Sequence, residues 1–225
     1  MHVKRQHSFF IKKLYLNKVL ISLALLISQS LLFSQSLKAY ENVQANPLLI
    51  IESVTTTMTD KLTIHKKDIV EDPSIVMNIV EELLIPHFAT NTISRKVLGR
   101  HSRKVTDQQK EQFAEAFRFY MVRLYSKVFA SYTNQTFKYF PAPDFVGKKK
   151  VYVKTQLIQA GAKPVNIDYK MQRSGDSWKI IDLKIEGISM VISNSTQFGN
   201  QITRDGIETV IAKLQYKNTK AKTNE

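Results

Sequence analysis

VYVKTQLIQAGAKPVNIDYKMQRSGDSWKIIDLKI, residues 151–185, changes hydrophobic side at every second position. Val151, Val153, Thr155 and Leu157 alternate with Tyr152, Lys154, Gln156 and Ile158. After a turn over 160–164, Val165, Ile167, Tyr169 and Met171 take up the same period. Side chains in a strand point alternately to its two sides, so this spacing reads as antiparallel strands sharing one apolar face. Ser174-Gly175-Asp176-Ser177 turns the chain into a further run, 178–185, and Phe137-Lys138-Tyr139-Phe140, closed by Pro141 and Pro143, supplies another. The expectation is a four-stranded meander over 136–186. Alternation places Asp168 on the side away from Ile167 and Tyr169. Asp182 shares its parity with Trp178 and Ile180, so it needs a hydrogen-bonding partner: it either fixes the turn at Glu186-Gly187 or pairs with a Lys or Arg.

An apolar sheet face of this extent must be covered. The strongest candidate to cover it begins at Thr106, where Gln109 three positions on completes a capping box. Phe113, Phe117, Tyr120, Leu124 and Val128 form one stripe of the helix that follows, and Met121, Tyr125, Phe129 and Tyr132 form its neighbour. Upstream, Asn46-Pro47 opens a helix that the run Thr55-Thr56-Thr57 weakens, because β-branched residues lose rotamer freedom there. Asp72-Pro73 starts another, with Ile75, Val76, Ile79, Val80, Leu83 and Leu84 at helical spacing, until Pro86 bends or ends it. Residues 89–99 read as a short helix stopped by Gly99. Beyond the sheet, Ser189 caps a helix over 190–203, and Ile207, Val210, Ile211 and Leu214 form a last one after Asp205-Gly206. The order is α+β: a helical part over 46–132, a sheet over 136–186 and C-terminal helices over 190–216, in one domain spanning 41–216. The basic tail 217–225 is expected to fray.

Residues 1–36 carry Lys4, Arg5, Lys12, Lys13 and Lys18, no acid, and the apolar run VLISLALLISQSLLF at 19–33. A basic flank, a short apolar core and a small polar exit are the pattern of a secretory signal peptide, with cleavage near 36 or 39. The chain has 225 residues and a formal charge of +14, and 28 basic against 19 acidic residues remain beyond the leader. There is no cysteine. That removes disulfides, thiolate nucleophiles and cysteine-containing zinc sites. His65, His87 and His101 do not fall at metal-ligand spacing, and no serine stands in a nucleophile elbow, so no metal site, cofactor or catalytic residue is expected. Export and the core spacing of the aromatics argue against nucleic acid, and leave anionic head groups or an acidic partner for the positive charge. Helices closing the sheet incompletely would leave an apolar cavity, and periodicity does not distinguish a packed interior from a hollow one.

Four stretches in order carry a resemblance: Glu82-Leu83-Leu84-Ile85-Pro86-His87-Phe88 with Lys96-Val97-Leu98-Gly99-Arg100; Thr106-Asp107-Gln108-Gln109 leading to Phe117-Arg118-Phe119-Tyr120; Asp182-Leu183-Lys184-Ile185-Glu186-Gly187-Ile188-Ser189-Met190; and Asp205-Gly206-Ile207-Glu208. Over roughly 46–216 the chain resembles the MlaC family, also called the toluene-tolerance Ttg2D family, of periplasmic phospholipid-binding proteins. The resemblance implies an NTF2-like, strongly curved antiparallel sheet packed against helices, with a helical part enclosing an apolar cavity. It also implies a non-enzymatic carrier in an Mla-type pathway that maintains outer-membrane lipid asymmetry. Its implied partners are phospholipid, an inner-membrane ABC transporter complex with an MlaD-like subunit, and an outer-membrane MlaA-like lipoprotein with a porin. Motif position and helix facing together suggest Val97, Leu98, Phe117, Met121, Tyr125, Tyr169 and Ile188 as cavity residues. A non-catalytic periplasmic interaction module with the same sheet and a packed core is the alternative, and a small-molecule enzyme ranks below both.

Overall fold

The computed structural model describes residues 46–222, without the side chains of 221 and 222. The leader read over 1–36 and its cleavage site lie outside the described residues. Helix α1 (Pro47–Ile64) opens as expected, with Asn46 Oδ1 accepting from Leu48 N at 2.9 Å. Its threonines do not break it. Thr55 turns its hydroxyl back onto Ile51 O at 2.7 Å, which satisfies the group inside the helix. Two short helices follow, α2 (Lys66–Glu71) and α3 (Ser74–Ile79), and Asp72 Oδ1 accepts from Ser74 N at 2.9 Å.

The regular helix gives way already at Ile79, where the chain widens into a π-turn over Val80–Leu84, and the helical run ends around Pro86 as the sequence suggests. A 3₁₀ turn, Ile85–His87, then delivers Phe88 to the sheet, where it bridges Ile180 in parallel. Arg118 secures the π-turn from across the molecule by donating from Nη1 to Glu81 Oε1 at 2.8 Å. Helix α4 (Thr90–Leu98) stops at Gly99, whose φ of +51° favours glycine; a Cβ there would also press on Ser195 Oγ at 3.3 Å. After a 3₁₀ turn (Gly99–Arg103), the Thr106–Gln109 capping box starts α5 (Asp107–Ala130), which is about 36 Å long.

The sheet has five strands in chain order: β1 (Thr136–Tyr139), β2 (Lys150–Ile158), β3 (Val165–Ser174), β4 (Ser177–Ile185) and β5 (Ile188–Ser189), each antiparallel to the next. The two-residue β5 goes beyond the four strands read from the sequence. Its hairpin has positive φ at both Glu186 and Gly187, +49° and +79°, as a type I′ turn requires. The glutamate is an unusual occupant of that conformation, and its carboxylate holds the turn by accepting from the backbone amide of Asn166. Helices α6 (Met190–Asp205) and α7 (Ile207–Lys222) complete the chain. Helix α1 packs on one face of the sheet at β2 and β4, the C-terminal half of α5 faces the same side across a gap, α4 and α6 pack together beside β4, and α7 lies along α5.

Two expectations change. Residues 217–222 do not fray: they continue α7, because Asn218 is buried against α5, donating to Ala116 O at 2.9 Å and accepting from Arg123 Nη1 at 2.7 Å. Asp182 does not share a face with Trp178 and Ile180. A β-bulge leaves Ile181 without a cross-strand partner, so Ile180 pairs with Met171 while Asp182 pairs with Lys170. The extra residue reverses parity and sends Asp182 to the opposite side. There its carboxylate accepts from Ser189 Oγ at 2.7 Å and Val191 N at 3.1 Å, and Ser189 Oγ accepts from Ile192 N at 3.1 Å. A carboxylate at a helix N-terminus meets both the free amides and the favourable end of the dipole. Replacing Asp182 by Ala strips this start of α6 of its anchor. The expected loss is about 3 kcal/mol of unfolding free energy, read from urea titration of Asp182→Ala against wild type.

Candidate functional site: an apolar cavity between sheet and helices

Helix α5 divides into two unlike halves. Its first half is solid. Phe113, Phe117 and Tyr120 surround Phe198 of α6, with ring centroids 5.8, 5.9 and 5.4 Å away and all three contacts edge-on. Such geometry aligns ring edges with ring faces and leaves little space. Toward its C-terminus α5 stands off the sheet instead. The cavity there has a volume of about 190 Å³. Its walls are Ile51, Val54, Thr55 and Met58 of α1, Leu84 of the π-turn, Tyr125, Val128 and Phe129 of α5, and the apolar face of β1 to β4.

One end of the cavity is deep, where Met58 is 0% exposed, and the other reaches solvent beside Val128, 59% exposed, with Ser131 and Gln135 nearby. Few lining groups are polar. Thr55 Oγ1 lies 2.6 Å from the Tyr139 hydroxyl, so those two satisfy each other. Burial pushes the hydroxyls of Tyr125 and Tyr169 well above the ordinary phenol range, and Tyr169 is held back only partly by a hydrogen bond with Thr155. Both stay neutral at any physiological pH. The site therefore offers apolar contact and neutral hydroxyls, with no charge inside it.

A second, much smaller cavity of about 20 Å³ lies toward α6, lined among others by Phe88, Phe117, Met121 and Met190. Tyr125 and Leu183 line both cavities and form the wall between them. A wider groove of about 380 Å³ between α4 and α5 is of another kind. It is lined by polar and charged side chains, several already paired, such as Lys110 with Asp107 at 2.8 Å and Arg118 with Glu115 at 3.6 Å. Among the described residues no group of three or more His, Cys, Asp or Glu side chains could hold a metal ion, and no helix is long and apolar enough to cross a membrane.

The residues suggested by the sequence fall in different places. Tyr125 and Tyr169 line the larger cavity, and Phe117 and Met121 line the smaller one beside Tyr125. Val97 and Leu98 are buried in α4 and line neither. Ile188 is 60% exposed on β5, opposite Ile185, which does line the larger cavity. Sequence reasoning passed over Ile51, Val54 and Met58, and over Ile167 and Leu183. Helical spacing would have found the first three and strand parity with Tyr169 would have found Ile167, whereas Leu183 reaches that face only through the bulge at Ile181.

An α+β chain that folds a five-stranded meander over an apolar, charge-free cavity open at one end defines a class of small carriers or binding proteins. The chain belongs to the MlaC family: the family pattern described as "MlaC protein" matches residues 52–216. It is 22% identical over 175 residues to the intermembrane phospholipid transport system binding protein MlaC of Haemophilus influenzae, covering 76% of this chain and 82% of that one. It is 24% identical over 159 residues to the toluene tolerance protein ttg2D of Pseudomonas putida, covering 70% and 73%. Among solved structures, a phospholipid-binding protein from Ralstonia solanacearum in complex with a phospholipid has the same fold, with a TM-score of 0.69 and 21% identity, over 78% of this chain and 98% of that one.

Filling the two cavities should have unequal consequences. Met121→Trp meets a nearly closed space and is expected to lower stability by about 1–3 kcal/mol. Ile167→Trp enters the larger void and should cost less than about 1 kcal/mol. Urea midpoints at unchanged slope distinguish the two.

Proposed function

We propose that this protein is a periplasmic phospholipid carrier of an Mla-type intermembrane transport system, holding acyl chains in the cavity between α1, the C-terminal half of α5 and the sheet. The observation that carries this is an apolar void inside an otherwise filled core, open at one end and free of charge. Each CH₂ removed from water gains about 0.8 kcal/mol, so a lipid tail leaves a bilayer readily only into contacts that replace those it gives up. Apolar contacts are non-directional and accept tails of varied length. The head group stays at the mouth, beside Val128, Ser131 and Gln135.

The cavity is smaller than a lipid needs. Its 190 Å³ is near the about 150 Å³ that suffices for benzene, and below the roughly 300–1,000 Å³ of drug-sized sites. Loading therefore widens it. The thin wall of Tyr125 and Leu183 marks the direction, toward the smaller cavity beside Phe117 and Met121. The finer reading of the sheet as NTF2-like and curved fits this, since the bulge at Ile181 bends β4 where it passes the cavity. The lipid is passed between an outer-membrane lipoprotein–porin complex of MlaA type and an inner-membrane ABC transporter with an MlaD-like subunit. Each partner triggers transfer by binding the open form better than the closed one. The protein acts as a carrier and not as an enzyme: the larger cavity offers apolar contact and phenol hydroxyls, and the carboxylate lining the smaller one, Asp182, is committed to Ser189 and Val191.

Native mass spectrometry of the protein purified from its periplasm is expected to show the mass raised by bound phospholipid, with the lipid recovered on extraction. Ile167→Trp should melt as a folded protein and lose that added mass. A bare wild-type protein that also takes up no lipid from liposomes would overturn the carrier reading in favour of an interaction module.

A further inference from the structure

The side of the sheet turned away from the cavity is a field of lysines. Lys150, Tyr152 and Lys154 of β2 stand opposite Gln172, Lys170 and Asp168 of β3, and Asp168 stands opposite Lys184 of β4. Tyr152 is at the centre. Its ring, 38% exposed, has the ammonium of Lys170 5.3 Å and that of Lys184 5.5 Å from its centroid. Lys96, exposed in the last turn of α4, joins them. Partial desolvation holds its ammonium below the usual lysine range, the positive charges of Lys170 and Lys150 lower it further, and the carboxylate of Asp182 offsets part of this.

Acid on this side offsets the cluster only in part. Asp182 is occupied with Ser189 and Val191, and Asp168 reaches none of the lysines at ion-pair distance. Lys96, Lys150, Lys154, Lys170 and Lys184 therefore hold like charges together without a carboxylate partner among the described residues. This arrangement costs stability in the isolated protein, and an anionic surface would relieve it.

The composition of the patch decides which surface. It contains lysine and no arginine around a single tyrosine. Well-fitted protein interfaces favour arginine, whose planar fork pairs with carboxylates in fixed geometry, and are depleted in lysine. Lysines on flexible stems around an amphipathic ring suit a diffuse layer of negative charge with no fixed geometry, as at phospholipid head groups. We propose that this outer face of the sheet docks the protein onto an anionic bilayer. The cavity opens on the other side of the sheet, so docking and lipid loading involve different residues and can be separated.

The test is sedimentation of the purified protein with vesicles of phosphatidylcholine alone or with phosphatidylglycerol added. Wild type is expected to bind the phosphatidylglycerol vesicles at about 0.02 M salt and to release them at about 0.3 M, as the screening length shortens. Replacing the three exposed lysines (Lys96→Gln, Lys150→Gln, Lys154→Gln) should weaken binding at least about tenfold, each lysine being worth roughly fivefold. Its melting temperature should not fall, and its bound lipid should not change. Tyr152→Ala, which removes the ring and no charge, should weaken binding by a smaller factor. Wild type that treats both vesicles alike, or a triple variant that binds like wild type, overturns the proposal while leaving the lipid-carrier reading intact. A triple variant that still binds vesicles but no longer exchanges lipid with membranes bearing a protein acceptor also overturns it, assigning the patch to an acidic protein.

Discussion

Phe198 packs edge-on against Phe113, Phe117 and Tyr120, and this contact fixes α5 against α6 at one end. A long helix held at one end by closely fitted rings cannot settle onto a twisted sheet along its whole length. From Tyr125 onward it stands clear, and the gap is closed by α1 on one side and the sheet on the other. The void therefore follows from where the rings are placed. It does not reflect a shortage of apolar residues, since the lining is almost wholly apolar.

A second constraint ties this arrangement to the strands. The extra residue at Ile181 turns Asp182 out of the apolar face and into position to hold Ser189 and the first turn of α6. Helix α6 carries Phe198, so the carboxylate on β4 and the rings on α5 belong to one chain of support. The same bulge keeps the two faces of the sheet distinct in chemistry, with Tyr169, Ile180 and Leu183 toward the cavity and Lys170 and Lys184 away from it.

Much of this could be read from the residues. Period-two alternation gave the main strands, the Thr106–Gln109 pair located the start of α5, and Asn46, Gly99 and Ser189 acted as the caps their chemistry suggested. What was hidden shares one cause: it depends on a contact between distant segments. The parity of Asp182 failed because a bulge adds a residue without changing the sequence pattern. Residues 217–222 looked like a solvated tail because no apolar period runs through them, yet the amide of Asn218 reaches Ala116 and Arg123 and keeps the helix going. The larger cavity lies farther along α5 than Phe117 and Met121, since Phe117 and Val128 occupy equivalent helical positions on one stripe and only their neighbours decide which faces open space. The motif that pointed to Val97 and Leu98 marks a helix junction buried against α6, where sequence similarity records packing as strongly as binding.

The order of the strands has a consequence for how the protein reaches its final form. Every strand pairs with its immediate predecessor, so the sheet can assemble hairpin by hairpin as the chain becomes available. Helix α1 is different. It comes first among the described elements, but Thr55 meets Tyr139 and the helix faces β2 and β4, all made of residues that follow much later. Before those strands exist it can pack only against α3 and the π-turn that follow it, and the rest of its apolar side waits for the sheet. The wall that completes the cavity is thus the earliest of the described elements in the chain yet waits on much later ones for its full contacts, and with no cysteine in the chain its position depends on packing and hydrogen bonds alone.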